Sequence, residues 1–235
     1  GALAYTLQIY FDFSGYSDMA IGLAYCFGIR IPLNFNSPYK SLNVIDFWRR
    51  WHMSLSRFLR DYLYIPLGGN RKGEARRFTN LMITMLLGGL WHGAAWTFVL
   101  WGGLHGVFLV INHGWVKIKR RLGLQATAGW FGRLIAGTLT FLSVTVAWVF
   151  FRADSASSAR RVLGSMAGLN GFALPEKYLE KFGPLTAQLK LWGVDFQAMH
   201  YFEGSNEVIY IALALMIVWL APNVQQMMDL CAPYL

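Results

Sequence analysis

From Phe78 through Val116 the chain carries no Asp, Glu, Lys or Arg. A helix that crosses a bilayer needs about 20 largely apolar residues, so this run is nearly two spans long. It constrains the fold more than any other feature of the sequence. Charged residues make up 14% of the 235 residues, against about 25% in soluble domains. The deficit is concentrated in further apolar stretches, Leu134 to Phe151 and the shorter Val208 to Ala221. These lengths point to a polytopic, all-α integral membrane protein, with the lipid bilayer as its first partner.

The charges fall in blocks. Residues 30–77 hold ten Lys or Arg against Asp46, Asp61 and Glu74. Residues 114–133 hold Lys117, Lys119, Arg120, Arg121 and Arg133 with no acid, and 152–207 is balanced at six basic and six acidic. The positive-inside rule assigns the first two blocks to the cytoplasm. The run between them must then enter the membrane and return, as a helical hairpin of roughly 79–96 and 97–115. Residues 134–151 cross outward, 152–207 form a probable external loop and helix region, and 208–221 cross back. The net charge of +9 follows from basic cytoplasmic loops, and nucleic acid is not an expected partner. Cys26 and Cys231 form neither a metal motif nor a disulfide framework. The chain opens directly in an apolar segment without a signal peptide, which is expected of a piece whose N-terminal part is missing.

Two segments carry ionisable groups among apolar neighbours. In the first, ALAYTLQIYFDFSGYSDMAIGLAYCFG, Asp12, Ser14, Ser17 and Asp18 interrupt the middle. Either this is a span whose carboxylates face a bundle interior or wet cavity, or it is a re-entrant segment capped by Asp12 and Asp18. Residues 47–69 read as one amphipathic helix ending at Pro66. Phe47, Trp51, Leu55, Phe58 and Tyr62 share one stripe, widened by Trp48 and Leu59, while Arg49, Arg50, Arg57 and Arg60 face away. Asn43 followed by Asp46 resembles a capping box. Such a helix lies in the membrane interface with its arginines toward headgroups. His52 sits at the stripe's edge and is placed to point into protein.

The uncharged run holds His92, His105 and His113. Gly89 with Gly93, and Gly102 with Gly106, are small-residue pairs that let helices approach closely. A buried imidazole needs partners for both nitrogens, and His92 has two readings: a packed histidine donating to a carbonyl, or a functional one. Histidine suits acyl transfer, because it takes a proton from a hydroxyl near neutral pH and returns it to a leaving group. No GxSxG motif or credible Cys–His pair offers a covalent route. The histidines lack carboxylate or cysteine companions at ligand spacing, so no metal site is expected.

YFDFSGYSDMAIGLA, DFWRRWHMSLSRFLRDYLYIPLGG and GGLWHGAAWTFVLWGGLHG, in that order, resemble the membrane-bound O-acyltransferase (MBOAT) family. The likeness is nearest to the bacterial alginate O-acetyltransferase type, and WVFFRA at 148–153 and LAPN at 220–223 add to it. It is strong over 1–153 and weak beyond, and the family is longer at its N-terminus, so residues 1–235 are expected to form a partial MBOAT membrane domain. The resemblance implies that His92 and His52 are the signature active-site positions. His92 is then the general base, and His52 orients the acceptor or polarises the carbonyl. Asp12, Trp48, Trp91, Trp96 and His105 become candidates for lining a substrate or acyl channel, although packing is the commoner explanation for Trp91 and Trp96, and His105 reads as packing support between helices. Arg71 and Lys72, in GGNRKG, are candidates for the donor's phosphates, with a plain cytoplasmic turn as the alternative.

The implied reaction moves acetyl from cytoplasmic acetyl-CoA, with no permanently bound cofactor, toward hydroxyls of an exported, alginate-like polysaccharide. The implied setting is multi-pass in the bacterial inner membrane, beside a periplasmic acetyltransferase or hydrolase-like partner protein. D-alanyl transfer to teichoic acids, a transporter or channel with a His/Asp relay, and a scaffold for an acetylating partner are the alternatives.

Overall fold

The computed structural model of the chain describes residues 1–123, 129–176, 178–197 and 205–231. The opening apolar segment forms one continuous helix, α1 (Ala2–Cys26), in which Asp12 and Asp18 are mid-helix and cap nothing. It closes where Gly28 adopts a φ of 70° and the Gly28 and Ile29 amides donate to the Tyr25 and Ala24 carbonyls. An extended stretch and a single 3₁₀ turn (Pro38–Lys40) lead into α2 (Val44–Arg50).

The interfacial helix is not one helix. α2 stops at Trp51, His52 takes a left-handed φ of 42°, and α3 (Met53–Leu59) continues into a π-type turn (Arg60–Tyr64). The break resets the helical phase. Phe47, Trp51, Leu55 and Leu59 are buried, but Phe58 and Tyr62, expected on the same stripe, are exposed. The cap is also simpler than expected. Asn43 Oδ1 accepts the Asp46 amide at 2.9 Å, but the Asp46 carboxylate turns to Arg50 at 2.9 Å instead of reaching back to Asn43.

The uncharged run folds as the expected hairpin, α4 (Gly73–Trp91) and α5 (Trp96–Arg121). Its antiparallel register is fixed along its whole length. Lys117 pairs with Glu74, Arg77 Nη2 donates to the His113 ring at 2.8 Å, and Gly89 meets Gly102. A Cβ on Gly89 would lie 2.2 Å from the Phe98 carbonyl oxygen, and one on Gly102 2.2 Å from that of Met85. Only glycine permits this approach at either position.

α6 (Trp130–Arg152) packs on α1 and α5 around the core residues Val144, Ala147 and Trp148. α5 and α6 are long and apolar enough to cross a membrane. α6 keeps Leu134, Ile135, Leu139 and Leu142 exposed on its outer side, a surface suited to lipid. Beyond α6 the chain is not purely helical, a departure from the all-α expectation. After α7 (Ala156–Met166), strands β1 (Phe172–Pro175) and β2 (Val194–Gln197) pair in parallel. Parallel pairing requires a long crossover, supplied here by α8 (Tyr178–Phe182) and α9 (Leu185–Leu191). α10 (Ser205–Leu220) returns to the core through Val218, and α11 (Val224–Cys231) ends the described chain. The Cys231 side chain lies outside what the structure describes.

Tyr39 anchors the non-helical segment 27–43 in this bundle. Its hydroxyl donates to the Thr6 carbonyl at 2.6 Å and accepts from Trp148 Nε1 at 3.2 Å, while its own carbonyl accepts from Trp219 Nε1 at 3.3 Å. One buried ring thus joins α1, α6 and α10.

Candidate active site

The two signature histidines come from different elements and meet at one cavity of about 40 Å³. His92 caps the C-terminus of α4, where its amide donates to the Gly89 carbonyl at 3.0 Å. The glycine contact therefore fixes the height of His92 in the bundle. Trp91, Trp101 and Phe151 stand edge-on to its ring at 4.9–5.1 Å. Neither ring nitrogen has a hydrogen-bond partner among the described residues, and the ring is half-buried rather than sealed.

His52 is held differently. A left-handed backbone on a non-glycine residue costs on the order of 1–3 kcal/mol, so its surroundings must impose it. Asn34 does so. The Met53 amide donates to the Asn34 carbonyl at 2.9 Å, and Asn34 Oδ1 accepts from the Ser54 amide at 3.2 Å and the Ser54 hydroxyl at 2.8 Å. The same Oδ1 lies 3.2 Å from His52 Nδ1. An amide oxygen only accepts, so this contact assigns the proton of the neutral ring to Nδ1 and leaves the Nε2 lone pair free. Burial, with nearby His92 second, pushes the His52 imidazole down to about 4, which keeps it neutral at physiological pH. Nothing in the sequence pattern singled out Asn34, which lies in an aperiodic extended stretch.

Beside this cavity lies a larger one of about 530 Å³, within the range of ligand pockets. Arg49, Arg57, Arg60, Arg77 and His113 line it, and no carboxylate does so among the described residues, although Arg60 is paired with Asp61 at 2.7 Å. The arginine face of the interfacial segment thus turns onto a cavity shared with the α4–α5 hairpin, and is not solely a headgroup anchor. Among the described residues, Trp48 alone lines both cavities.

The other candidates separate. Trp101 lines the histidine cavity, and Trp91 stands near His92 and His52 while remaining 60% exposed. Trp96 is 80% exposed at the start of α5, and Asp12 is exposed on α1; neither lines the histidine cavity. His105 is fully buried behind Trp48 and lines neither cavity. Arg71 and Lys72 are exposed in the turn before α4 and border neither cavity. That turn is tied down by Asn80 Nδ2, which donates to the Gly69 carbonyl at 3.0 Å.

Residues 2–150 match the membrane-bound O-acyltransferase family, MBOAT. Among curated relatives, a peptidoglycan O-acetyltransferase of Helicobacter pylori is 51% identical over 173 residues, 74% of this chain and 32% of its own. A probable alginate O-acetylase of Pseudomonas putida is 52% identical over 176 residues, 75% of this chain and 35% of its own. A teichoic acid D-alanyltransferase of Streptococcus thermophilus is 38% identical over 125 residues, half of this chain and 30% of its own. The chain thus spans about a third of the length of these relatives. The matched stretch contains both histidines, Asn34 and the arginine-lined cavity. The chain belongs to the membrane-bound O-acyltransferase family.

Proposed function

We propose that the protein is a multi-pass O-acetyltransferase of the bacterial inner membrane, which moves acetyl from cytoplasmic acetyl-CoA toward hydroxyls of an exported polysaccharide. The observation that carries this reading is the placement of His52 and His92 on one small cavity that adjoins an arginine-lined one. The O-acetylase names of the more similar relatives support acetyl over D-alanyl as the group moved.

The arginine-lined cavity suits the phosphates of the donor, because guanidinium groups pair bidentately with phosphate oxygens. Arg49, Arg57, Arg60 and Arg77 replace Arg71 and Lys72 in that role. The thioester carbonyl enters the histidine cavity. The acceptor oxygen attacks the carbonyl carbon, the C–O bond forms and the C–S bond breaks. His92 takes the hydroxyl proton and passes it to the departing sulfur, so the enzyme returns to its starting state. His52, neutral and with Nε2 free, orients the acceptor by accepting from a neighbouring hydroxyl. A neutral ring protonated at Nδ1 has no donor left for the carbonyl, which favours orientation over polarisation.

The hairpin register supports the orientation, since Glu74 and Lys117 bring both basic blocks to one end, the cytoplasmic one. Residues 152–207 then lie outside, where a periplasmic hydrolase-like partner would receive or pass on the acetyl group. The chain forms part of one MBOAT membrane domain. The test is glycan-bound acetate from cells that make the full-length protein, measured beside its abundance in membranes. His92→Ala and His52→Ala are each expected to lose acetylation at normal abundance. Full acetylation by His92→Ala overturns the reading.

A further inference from the structure

Trp48 lines both cavities, and its indole is held from behind. Trp48 Nε1 donates to His105 Nδ1 at 3.3 Å, and the two rings stand edge-on at 5.1 Å. His105 cannot move to follow it. Its ring is fully buried, stacked on Phe47 at 6.0 Å and 8°, and flanked by Trp101 at 5.0 Å. Accepting from the indole leaves the neutral ring protonated at Nε2, and this nitrogen is buried without a partner. An unpaired buried donor costs about 1–3 kcal/mol. Leucine would fill the same space without that cost, so packing alone does not account for a histidine here. What a leucine could not do is hold the indole nitrogen.

The second observation is volume. About 40 Å³ holds roughly three water-sized groups, a match for the carbon, oxygen and methyl of an acetyl. Three of the other walls, Trp51, Trp101 and Trp148, belong to the buried aromatic core. Trp48 also borders empty space on its other side, in the arginine-lined cavity.

We propose that Trp48, latched to the buried His105, sets the length of the acyl group this site transfers and restricts it to about the size of acetyl. Trp48 is the specificity-determining residue. His105 reaches no substrate and is a positioning residue acting through Trp48. The inference rests on acyl transfer at the histidine cavity.

The experiment feeds butyrate to cells making the full-length protein and measures, by mass, the acyl groups released from the exported glycan by mild base. Wild type is expected to carry acetyl almost alone. Trp48→Ala joins the two cavities and is expected to raise the butyryl-to-acetyl ratio at least about tenfold, the usual worth of a methylene in an apolar pocket. Trp48→Phe and His105→Leu keep the bulk but lose the latch. Each is expected to raise the ratio by a smaller, similar factor, and the double variant by no more than either alone. His105→Gln retains an acceptor and is expected to restore the wild-type profile. An unchanged ratio in Trp48→Phe and Trp48→Ala, or in whichever of them reaches the membrane, overturns the proposal. Additive effects of Trp48→Phe and His105→Leu overturn the latch. A wild type that acylates no glycan, or a His92→Ala variant that acylates like wild type, removes the underlying transfer reading instead.

Discussion

His52 is a residue whose chemistry is set by its neighbour. Asn34 Oδ1 holds its Nδ1 proton and, through Ser54 and the Met53 amide, the strained turn that aims the ring. Asn34→Leu removes the acceptor and is expected to lower acetyl transfer about 10- to 100-fold, as loss of a ligand-orienting partner does elsewhere. Asn34→Asp makes a sharper test. A carboxylate beside the ring stabilises its protonated form, so the His52 pKa rises from about 4. The site needs the neutral ring, hence the acidic limb of the pH–rate profile should move to higher pH while the rate at pH 8 changes little. A limb that stays in place contradicts the contact. The pairing of His52 with His92 was legible in the sequence, but only through the family resemblance. Asn34 was not, because an extended segment carries no periodic signal and its partners lie 18 to 20 positions away.

At the scale of elements, the hairpin α4–α5 was legible, since an uncharged run bounded by basic blocks leaves few other courses, but its turn falls at 92–95 and its helices start and end about six residues beyond the expected 79–115. The break inside 44–59 was not. The apolar stripe continues through Trp51 and His52, and one residue in a left-handed conformation changes the direction of a helix without changing its composition. The arginine cavity was hidden for a related reason. Periodicity places Arg49, Arg57 and Arg60 on one face, but only the folded hairpin brings Arg77 and His113 opposite them. The glycine contact is the element-scale determinant of the site. Gly89→Ala would drive a methyl into the Phe98 carbonyl, and overpacking of this kind costs about 1–3 kcal/mol or more. Lower membrane abundance is expected, with reduced acetylation per molecule in whatever remains, because His92 moves with the helix end. Gly114→Ala on the same hairpin meets nothing within 4 Å and is expected to be silent on both counts. Equal behaviour of the two variants would contradict this account of the hairpin.

For the whole molecule, the proposed direction across the bilayer follows from the charge blocks and the helix order together. Arg152 at the end of α6 lies 5.9 Å above the Tyr5 ring near the start of α1, so these ends share one side. Lys117 and Glu74 share the other. In a background lacking the native cysteines, a cysteine at Ser157 in α7 should react with an impermeant maleimide in intact spheroplasts. One at Arg121 should react only after the membrane is opened, and the reverse pattern would invert the proposed path of the acetyl group. The β1–β2 ribbon within residues 152–207 was not foreseen, as four-residue strands separated by a long crossover leave no periodic trace.

The central claim is that one half-buried imidazole, His92, carries the proton of the transferred hydroxyl. The direct measurement is the rate at which purified full-length protein in lipid bilayers moves labelled acetyl from acetyl-CoA to an oligosaccharide, with wild type and His92→Ala at matched amounts. Loss of a general base predicts a fall of about 10²- to 10⁴-fold. A His92→Ala rate indistinguishable from wild type would contradict the account.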